Sequence, residues 1–210
     1  MDFNQEYDYV VAELSSFMLE DFRPQTSIAV LGHLFPVHMD WHGSIDAYYD
    51  AKFNILTNAE QRFVLAKTAE EFNLQDHYPD LHTYGIGGIT SRDHGYFTHN
   101  FQELFPTQDR LLLGDHNLQN ISLAIGIGIA LQIPITSIQE TIRTFEGLPH
   151  RLQRVGEFQG IIFYDDAIST TPDSTIEAIK TFGSQLGTIF LGGTDRGFDF
   201  LPLMQEVKKS

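Results

Sequence analysis

Short apolar runs alternate with helix-like segments through the first third of the chain, and this alternation restricts the fold most. "YDYVVAEL", "TSIAVLGHLF" and "RFVLA" have the composition of buried strands. The segments that follow them, among them "SSFMLEDF" and "TAEEF", have the length and pattern of helices. Strands separated by helices favour crossover connections, which make neighbouring strands parallel and cover both faces of the sheet. We therefore predict an α/β fold with a mainly parallel sheet.

The middle of the chain changes from strands to a long helix. Residues 72–113 read as strands joined by turns that contain Gly and Asp, with "RLLLG" as the last strand. From "HNLQN" the pattern predicts a helix to about Gln132, which Pro134 ends. Gly126 and Gly128 weaken a helix, so we expect a neighbour to pack closely against them.

A second domain is predicted near the end of the chain. "LQRVGEFQGIIFYDD" reads as a hairpin that turns at Gln159–Gly160, and Thr171 is the predicted N-cap of the next helix. "GTIFLGG" then reads as a strand and "DFLPLMQEVKKS" as a helix. We place the boundary near Gly147, which gives domains 1–147 and 148–210. The second has too few strand–helix units for a closed α/β domain, so we expect a piece of a longer protein.

The charge and composition exclude several classes of protein. The 28 acidic and 13 basic side chains give a formal net charge of -15, which repels the phosphates of nucleic acids. A single nucleotide is not excluded, because a local metal ion can reverse the field. The chain has no Cys, no signal-peptide pattern at its start and no apolar stretch of about 18 residues. We expect a cytoplasmic monomer that binds neither nucleic acid nor membrane.

One lysine lies on the apolar face of a predicted helix. Ser44 is the expected N-cap of this helix, whose apolar face has five members: Ile45, Tyr48, Tyr49, Phe53 and Leu56. Lys52 falls on that same face. An ammonium group is rarely buried without a partner. The aliphatic stem of Lys52 can pack against the core while its ammonium group reaches solvent, or the amine can have a chemical role.

A carboxylate and an imidazole are expected near that lysine. Glu13 and His38 follow two predicted strands, and ligands of open α/β sheets bind at the carboxyl ends of the strands. Together they make a plausible corner for Mg²⁺ or Mn²⁺. Each also has a structural explanation, because Glu13 can be a solvated turn residue and His38 a hydrogen-bonded polar group. The spacing alone leaves both interpretations open.

Six segments in one order resemble a known family. They are "ELSSFMLE", "HMDWHGSIDAYYDAKFNIL", "GDHNLQN", "GLPHRLQRV", "FYDDAISTTPDST" and "LGGTDRGFDF". In this order they resemble the ATP-dependent Mur ligases of peptidoglycan synthesis, and "GLPHRL" with "DRG" favours the D-glutamate-adding branch. The resemblance implies the end of a central ATPase-like domain followed by the first part of a Rossmann-like C-terminal domain.

The resemblance also implies a reaction. ATP phosphorylates the L-alanyl carboxylate of UDP-N-acetylmuramoyl-L-alanine, and the amine of D-glutamate then displaces phosphate to form an amide. Such a ligase serves cell-wall synthesis, and with it cell shape and division. Mg²⁺ (or Mn²⁺) neutralises charge on the transferred phosphoryl group.

The same resemblance assigns roles to individual residues around the predicted metal site. It implies that CO₂ converts Lys52 to a carbamate, and that Glu13, His38 and this carbamate hold the metal. Only a neutral amine attacks CO₂, and burial favours the neutral form of a lysine. Ser15 is implied to lie near the muramoyl substrate.

A nucleotide site and an amino-acid site are implied in the second half of the chain. Asn117 and Asn120 resemble the family's contacts to adenine, Asp166 resembles its contact to ribose, and Arg151 resembles an arginine that meets ATP. The residues that resemble its contacts to the carboxylates of D-glutamate are Thr170 and Arg196. Spacing alone leaves open that Asn117 is only a helix N-cap.

Departures from the family pattern keep other functions open. No G-x-x-x-x-G-K-[ST] phosphate loop occurs, so we expect that loop to precede the chain and the chain alone to be inactive. Several positions carry residues unusual for the family: Met18, Val37, Trp41 and Ile168. One alternative is another amide ligase of this fold, similar to folylpolyglutamate synthase or cyanophycin synthetase. The other is a non-catalytic nucleotide-binding protein.

Overall fold

The computed structural model describes residues 6–35, 37–194 and 197–209. The chain divides into two compact units, Met1–Thr83 and Tyr84–Ser210. The domain boundary predicted near Gly147 lies inside the second unit and stays a prediction.

The first unit is built on a parallel pair of strands. The strands are β1 (Gln25–Leu31) and β2 (Asn58–Leu65), and the helices are α1 (Ser16–Leu19), α2 (Met39–His42), α3 (Ile45–Phe53), α4 (Ala66–Glu71) and α5 (Leu74–His77). A 3₁₀ turn, Asn54–Leu56, follows α3. The pairing runs in register from Gln25 opposite Asn58 to Leu31 opposite Val64. This parallel pair with its intervening helices confirms the α/β prediction.

An apolar core holds these elements together. Its fully buried members include Leu56 and Val64, which have no exposed surface. The remaining buried side chains of this core come from the strands and from the segments after them: Ala29, Leu31, Ala59, Ala69, Leu74 and Leu81. Because Leu56 ends the 3₁₀ turn that follows α3, its burial fixes that end of the helix against the core.

The second unit contains short strands, a long helix and a separate hairpin. Its strands are β3 (His82–Tyr84, which includes the point of division), β4 (Thr90–Asp93), β5 (Tyr96–His99), β6 (Gln102–Pro106), β7 (Gln153–Phe158) and β8 (Ile161–Asp165). Its helices are α6 (His116–Ala130), α7 (Ile135–Thr144), α8 (Pro172–Phe182) and α9 (Leu201–Val207). β3 pairs parallel with β4, whereas the β4–β5, β5–β6 and β7–β8 pairs are antiparallel.

The long helix α6 is buried on most of its surface, as its apolar composition predicts. Ile125 has no exposed surface, and the helix contributes to a core shared with β5, β6 and α7. A Cβ built on Gly128 would lie 2.7 Å from Cδ1 of Ile138 on α7. The close approach expected at this glycine is therefore confirmed.

Local sequence signals determine the hairpin and the helix that follows it. Gln159 and Gly160 both have positive φ angles, 51° and 78°, as a two-residue hairpin turn requires. The Oγ1 of Thr171 accepts a hydrogen bond from the backbone N–H of Ser174 at 3.3 Å, which caps α8. Both predictions are confirmed.

Three predicted strands are wrong. Among the described residues, "YDYVVAEL", "RLLLG" and "GTIFLGG" form no strand. Val11 in "YDYVVAEL" is 95% exposed and Phe190 in "GTIFLGG" is 92% exposed, so these two runs are not buried. A strand needs a neighbour that supplies backbone hydrogen bonds, and an apolar run does not specify that neighbour.

In the described part of the chain, no helix is both long and apolar enough to cross a membrane.

The turn after β3 depends on a glycine for steric reasons, so we expect Gly88→Ala to destabilise the chain. A Cβ at this buried position would lie 2.6 Å from the Cα of Tyr84, and this backbone atom cannot move aside cheaply. The expected loss is about 2 kcal/mol or more in the free energy of unfolding, measured by urea denaturation.

Gly187→Ala is the matched control for this substitution. Gly187 is exposed, its φ lies outside the left-handed region, and a Cβ there meets no atom within 4 Å. We expect a change within about 0.5 kcal/mol. Equal urea midpoints for the two variants would contradict the steric argument.

Candidate functional site

Helix α3 presents Lys52 from its last turn. The Oγ of Ser44 accepts a hydrogen bond from the backbone N–H of Ala47 at 3.1 Å, so the predicted N-cap is confirmed. Tyr48 and Ala51 are buried, and Lys52 is partly buried beside them. Ile45, which the pattern placed on the same apolar face, is 49% exposed, because the first turn of α3 lies away from the core.

The environment of Lys52 favours its neutral form. Burial lowers the pKa of Lys52 below its ordinary value, and the negative charge of Glu13 acts in the opposite direction as a smaller effect. Glu13 is therefore near enough for its charge to act on the amine.

The prediction that Glu13 follows a strand is wrong, because Glu13 lies in an irregular segment just before α1. The next helix begins at Ser16 with Ser15 as its N-cap, and the Oγ of Ser15 accepts a hydrogen bond from the N–H of Met18 at 3.3 Å. The hydroxyl proton of Ser15 remains able to donate to a ligand.

His38 lies at the N-cap of α2 in a left-handed conformation, with φ 61° and ψ 39°. This conformation costs a residue other than glycine on the order of 1 kcal/mol, so the surroundings must hold it. The carbonyl of His38 accepts hydrogen bonds from the N–H groups of Trp41 and His42, each at 3.0 Å. Its ring centroid lies 4.8 Å from that of Phe17, so the imidazole is beside α1.

Sequence reasoning missed a buried polar pair next to these residues. The Nε2 atom of His42 and the Oγ atom of Ser16 are 3.0 Å apart in a hydrogen bond, and both residues are buried. Neither residue belongs to a periodic apolar pattern, and in the sequence each looks like an ordinary polar residue near a helix end. Trp41, a departure from the family pattern, donates from its indole N–H to Oε2 of Glu20 at 2.8 Å on the exposed rim.

The donor chemistry of this region depends on Lys52. Among the described residues, no group of three or more His, Cys, Asp or Glu side chains could hold a metal ion. The predicted set supplies only two such donors, Glu13 and His38. The residues therefore fit a divalent cation only if the amine of Lys52 becomes an oxygen donor, which carbamylation would achieve.

The two asparagines of the predicted nucleotide site are neighbours on α6. The Nδ2 of Asn120 donates to Oδ1 of Asn117 at 3.0 Å, and the Nδ2 of Asn117 donates to the carbonyl of Leu113 at 2.7 Å. The alternative that Asn117 is an N-cap is wrong, because α6 begins at His116 with Asp115 before it. Asn117 thus holds Asn120, which is exposed and has its carbonyl oxygen available.

Arg151 and Asp166 lie near the start of α6. Burial lowers the pKa of His116, while the charges of Glu177 and Asp166 raise it and that of Arg151 lowers it further. Both predicted nucleotide contacts are therefore near enough for their charges to act on His116, which precedes Asn117 in the sequence. His116 itself was missed, although "GDHNLQN" contains it. Its buried Nδ1 has no hydrogen-bond partner in the part of the chain that the structure describes.

Asp166 is held in a compact turn after β8. Its Oδ1 accepts from the backbone N–H of Leu152 at 3.0 Å, and its Oδ2 accepts from the hydroxyl of Ser169. The neighbouring Asp165 accepts from Nδ1 of His150 at 2.7 Å, and this hydrogen bond lowers the pKa of Asp165. The turn therefore joins the "GLPHRL" segment to the segment after β8.

The two predicted contacts to D-glutamate are the least defined. Thr170 is exposed and directly precedes Thr171, the N-cap of α8. Arg196 lies outside the described residues. Both assignments stay predictions.

Comparison with known proteins points to one family. The model of the Mur ligase middle domain matches residues 2–128. The chain is 31% identical to the UDP-N-acetylmuramoylalanine–D-glutamate ligase of Natranaerobius thermophilus, over 96% of this chain and 46% of the relative. It is also 31% identical to the UDP-N-acetylmuramoyl-L-alanine–L-glutamate ligase of Salinispora tropica, over 95% of this chain and 47% of the relative.

Solved structures share the fold. The UDP-N-acetylmuramate–alanine ligase of Thermotoga maritima has a TM-score of 0.61 at 20% identity, over 80% of this chain and 40% of that protein. The MurF ligase of Thermotoga maritima in complex with ADP has a TM-score of 0.55 at 15% identity, over 74% and 39%. These two structures thus support an α/β fold of this kind for the chain. The chain belongs to the Mur ligase family, and it spans about half the length of the curated relatives it matches.

Because burial lowers the pKa of Lys52, we expect Lys52→Met to raise the melting temperature at pH 7 in CO₂-free buffer. The folded wild type loses the Lys52 proton at a lower pH than the unfolded chain does. Its stability therefore rises with pH through the window between the lowered and the ordinary pKa of lysine. The advantage of the methionine variant should shrink as the pH rises through that window.

Lys67→Met is the matched control, because it removes the same charge from an exposed position on α4. Melting curves of both variants and the wild type, recorded at several pH values, test the prediction. A lower melting temperature for Lys52→Met than for the wild type at pH 7 would mean that the attraction to Glu13 outweighs desolvation.

Proposed function

We propose that this chain forms part of an ATP-dependent amide ligase that adds D-glutamate to UDP-N-acetylmuramoyl-L-alanine in the cytoplasm. The observation that carries the proposal is the half-buried Lys52 next to a carboxylate, in a chain 31% identical to a D-glutamate ligase over 96% of its length. A desolvated amine on a core-facing helix destabilises the fold, so its presence supports a chemical role.

In this proposal the first unit provides the metal corner. Glu13, His38 and the carbamate formed from Lys52 and CO₂ are the donors for Mg²⁺, which when bound neutralises negative charge on the transferred phosphoryl group. The lowered pKa of Lys52 supports carbamylation, because a larger fraction of the amine is neutral at a given pH. The hydroxyl of Ser15 can donate a hydrogen bond to the muramoyl substrate.

The second unit provides the nucleotide contacts. Asn120 offers an amide edge suited to the donor and acceptor of adenine, and Asn117 orients it through their 3.0 Å hydrogen bond. Asp166 is assigned to the ribose and Arg151 to the phosphates of ATP. The proximity of both to the start of α6 supports a single adenosine site there.

The amino-acid substrate has two candidates of opposite chirality. The "GLPHRL" and "DRG" segments favour D-glutamate, and we propose that Thr170 and Arg196 bind its carboxylates. The relative from Salinispora tropica, named as an L-glutamate ligase, is as similar as the D-glutamate ligase at 31% identity. L-Glutamate is therefore the second candidate.

The adenosine site can be tested on the chain itself by titration calorimetry with ADP. We expect ADP to bind and Asn120→Ala to weaken the affinity about fivefold, which corresponds to the loss of one hydrogen bond of about 1 kcal/mol. Gln108→Ala, which removes an exposed amide in the same unit, should leave the affinity unchanged. Equal affinities for the wild type and Asn120→Ala would contradict the adenine assignment.

The ligase activity can be tested in a full-length chimaera. The chain replaces the matching segment of the Natranaerobius thermophilus enzyme, and phosphate release is measured with UDP-N-acetylmuramoyl-L-alanine and ATP. We expect release to require Mg²⁺ and D-glutamate, because Mg²⁺ offsets the charge of the phosphoryl transfer. Lys52→Ala should abolish it, with partial recovery on adding small carboxylates.

The outcome with L-glutamate decides between the two candidates. Release with L-glutamate and not with D-glutamate would move the assignment to the other chirality. No amino-acid-dependent release from a chimaera that folds and binds ADP would favour the non-catalytic alternative.

A further inference from the structure

The proposed function, on which this inference rests, requires Glu13 and His38 to be held in fixed positions. Neither lies on an element that is stable by itself. Glu13 lies in an irregular segment, and His38 precedes α2, a helix of only four residues. A single helical turn does not form without tertiary contacts. The position of both side chains therefore depends on how α1 and α2 are anchored.

One buried hydrogen bond joins the segments that carry these two side chains. It connects Nε2 of His42 on α2 to Oγ of Ser16 on α1 at 3.0 Å, and the two residues are 8% and 3% exposed. Ser16 comes three residues after Glu13. The backbone N–H of His42 donates to the carbonyl of His38 at 3.0 Å, so a shift of one residue moves the other.

The ring of His42 also contacts side chains of the two other helices, α1 and α3. It stacks on Phe17 of α1 at 5.7 Å and meets the ring of Tyr48 edge-on at 5.6 Å. Phe17 in turn contacts the ring of His38 at 4.8 Å. Tyr48 lies on α3, one turn before Lys52. From α2, the His42 imidazole thus contacts α1 through a hydrogen bond and a ring contact, and it contacts α3 through a ring contact.

We propose that His42 is a positioning residue for the metal corner. Through its hydrogen bond to Ser16 and its contacts with Phe17 and Tyr48, it fixes the segments of Glu13 and His38 relative to the helix of Lys52. It does not touch the cation or the substrate. Residues that orient metal ligands from behind contribute to metal affinity although they donate no ligand atom.

The ring atom used in the hydrogen bond selects the test variants. The amide of glutamine can reach the position of Nε2, whereas the shorter asparagine reaches only that of Nδ1. Nδ1 of His42 has no hydrogen-bond partner among the described residues, so nothing is lost there. His42→Gln should therefore keep the contact to Ser16, and His42→Asn should break it.

The experiment measures Mn²⁺ binding to the chain by electron paramagnetic resonance in bicarbonate buffer. We expect Ser16→Ala and His42→Asn each to weaken Mn²⁺ affinity about tenfold or more, and His42→Gln, which keeps the hydrogen bond but loses the ring contacts, to bind more tightly than His42→Asn. The double variant Ser16→Ala/His42→Asn should bind no more weakly than His42→Asn alone, because both substitutions break the same bond.

A stability-matched control separates positioning from general loosening of the fold. Val64 is fully buried in β2 and belongs to the core of the same unit, outside the proposed corner. Val64→Ala, compared at the same difference between assay and melting temperatures, should bind Mn²⁺ like the wild type.

Two results would overturn the role of His42 while leaving the proposed function intact. They are unchanged affinity in His42→Asn, and an equal loss of affinity in Val64→Ala and His42→Asn. A wild-type chain that binds no Mn²⁺ would instead overturn the metal corner itself, and the role of His42 with it.

Discussion

Partial burial of the Lys52 amine is the constraint that ties the packing of the first unit to its electrostatics. Helix α3 has only nine residues and packs through Tyr48 and Ala51, so tertiary contacts and not helix propensity keep it folded. The same contacts bring Lys52 out of solvent and lower its pKa. The packing that stabilises α3 therefore also creates the electrostatic cost of the lysine. Burial of Lys52 therefore lowers the stability of the fold and at the same time favours the neutral amine.

The elements whose formation depends on neighbours in sequence were the ones that the sequence could predict. Ser44 at the start of α3, Thr171 at the start of α8 and the Gln159–Gly160 turn each act within four residues, and each was found where expected. The failed strands have the opposite character. "YDYVVAEL" and "GTIFLGG" have strand-like composition, but composition does not specify which distant segment supplies the hydrogen bonds.

The candidate site divides along the same line. Lys52 was identifiable because a charged residue interrupted an apolar helical face. Asn117 and Asn120 were identifiable from the family resemblance, and their spacing of three places them side by side. The Ser16–His42 pair was not identifiable, because its two residues are 26 positions apart and each resembles a surface residue. Only the folded chain shows that His42 is buried against two other helices.

In the proposed function, the strongly acidic character of the chain would couple carbamylation of Lys52 to binding of a divalent cation. A carbamate adds a negative charge beside Glu13 in a chain whose formal net charge is already -15. Without a nearby cation this charge is unfavourable, and without the carbamate the corner has too few donors for a cation. Each reaction therefore supplies what the other lacks. By thermodynamic linkage, the factor by which a divalent cation favours carbamylation equals the factor by which carbamylation strengthens binding of the cation. In the proposed function, a lysine at this position, in place of a permanent carboxylate, would make the metal site depend on dissolved CO₂ and would place no second negative charge beside Glu13 when no metal is bound.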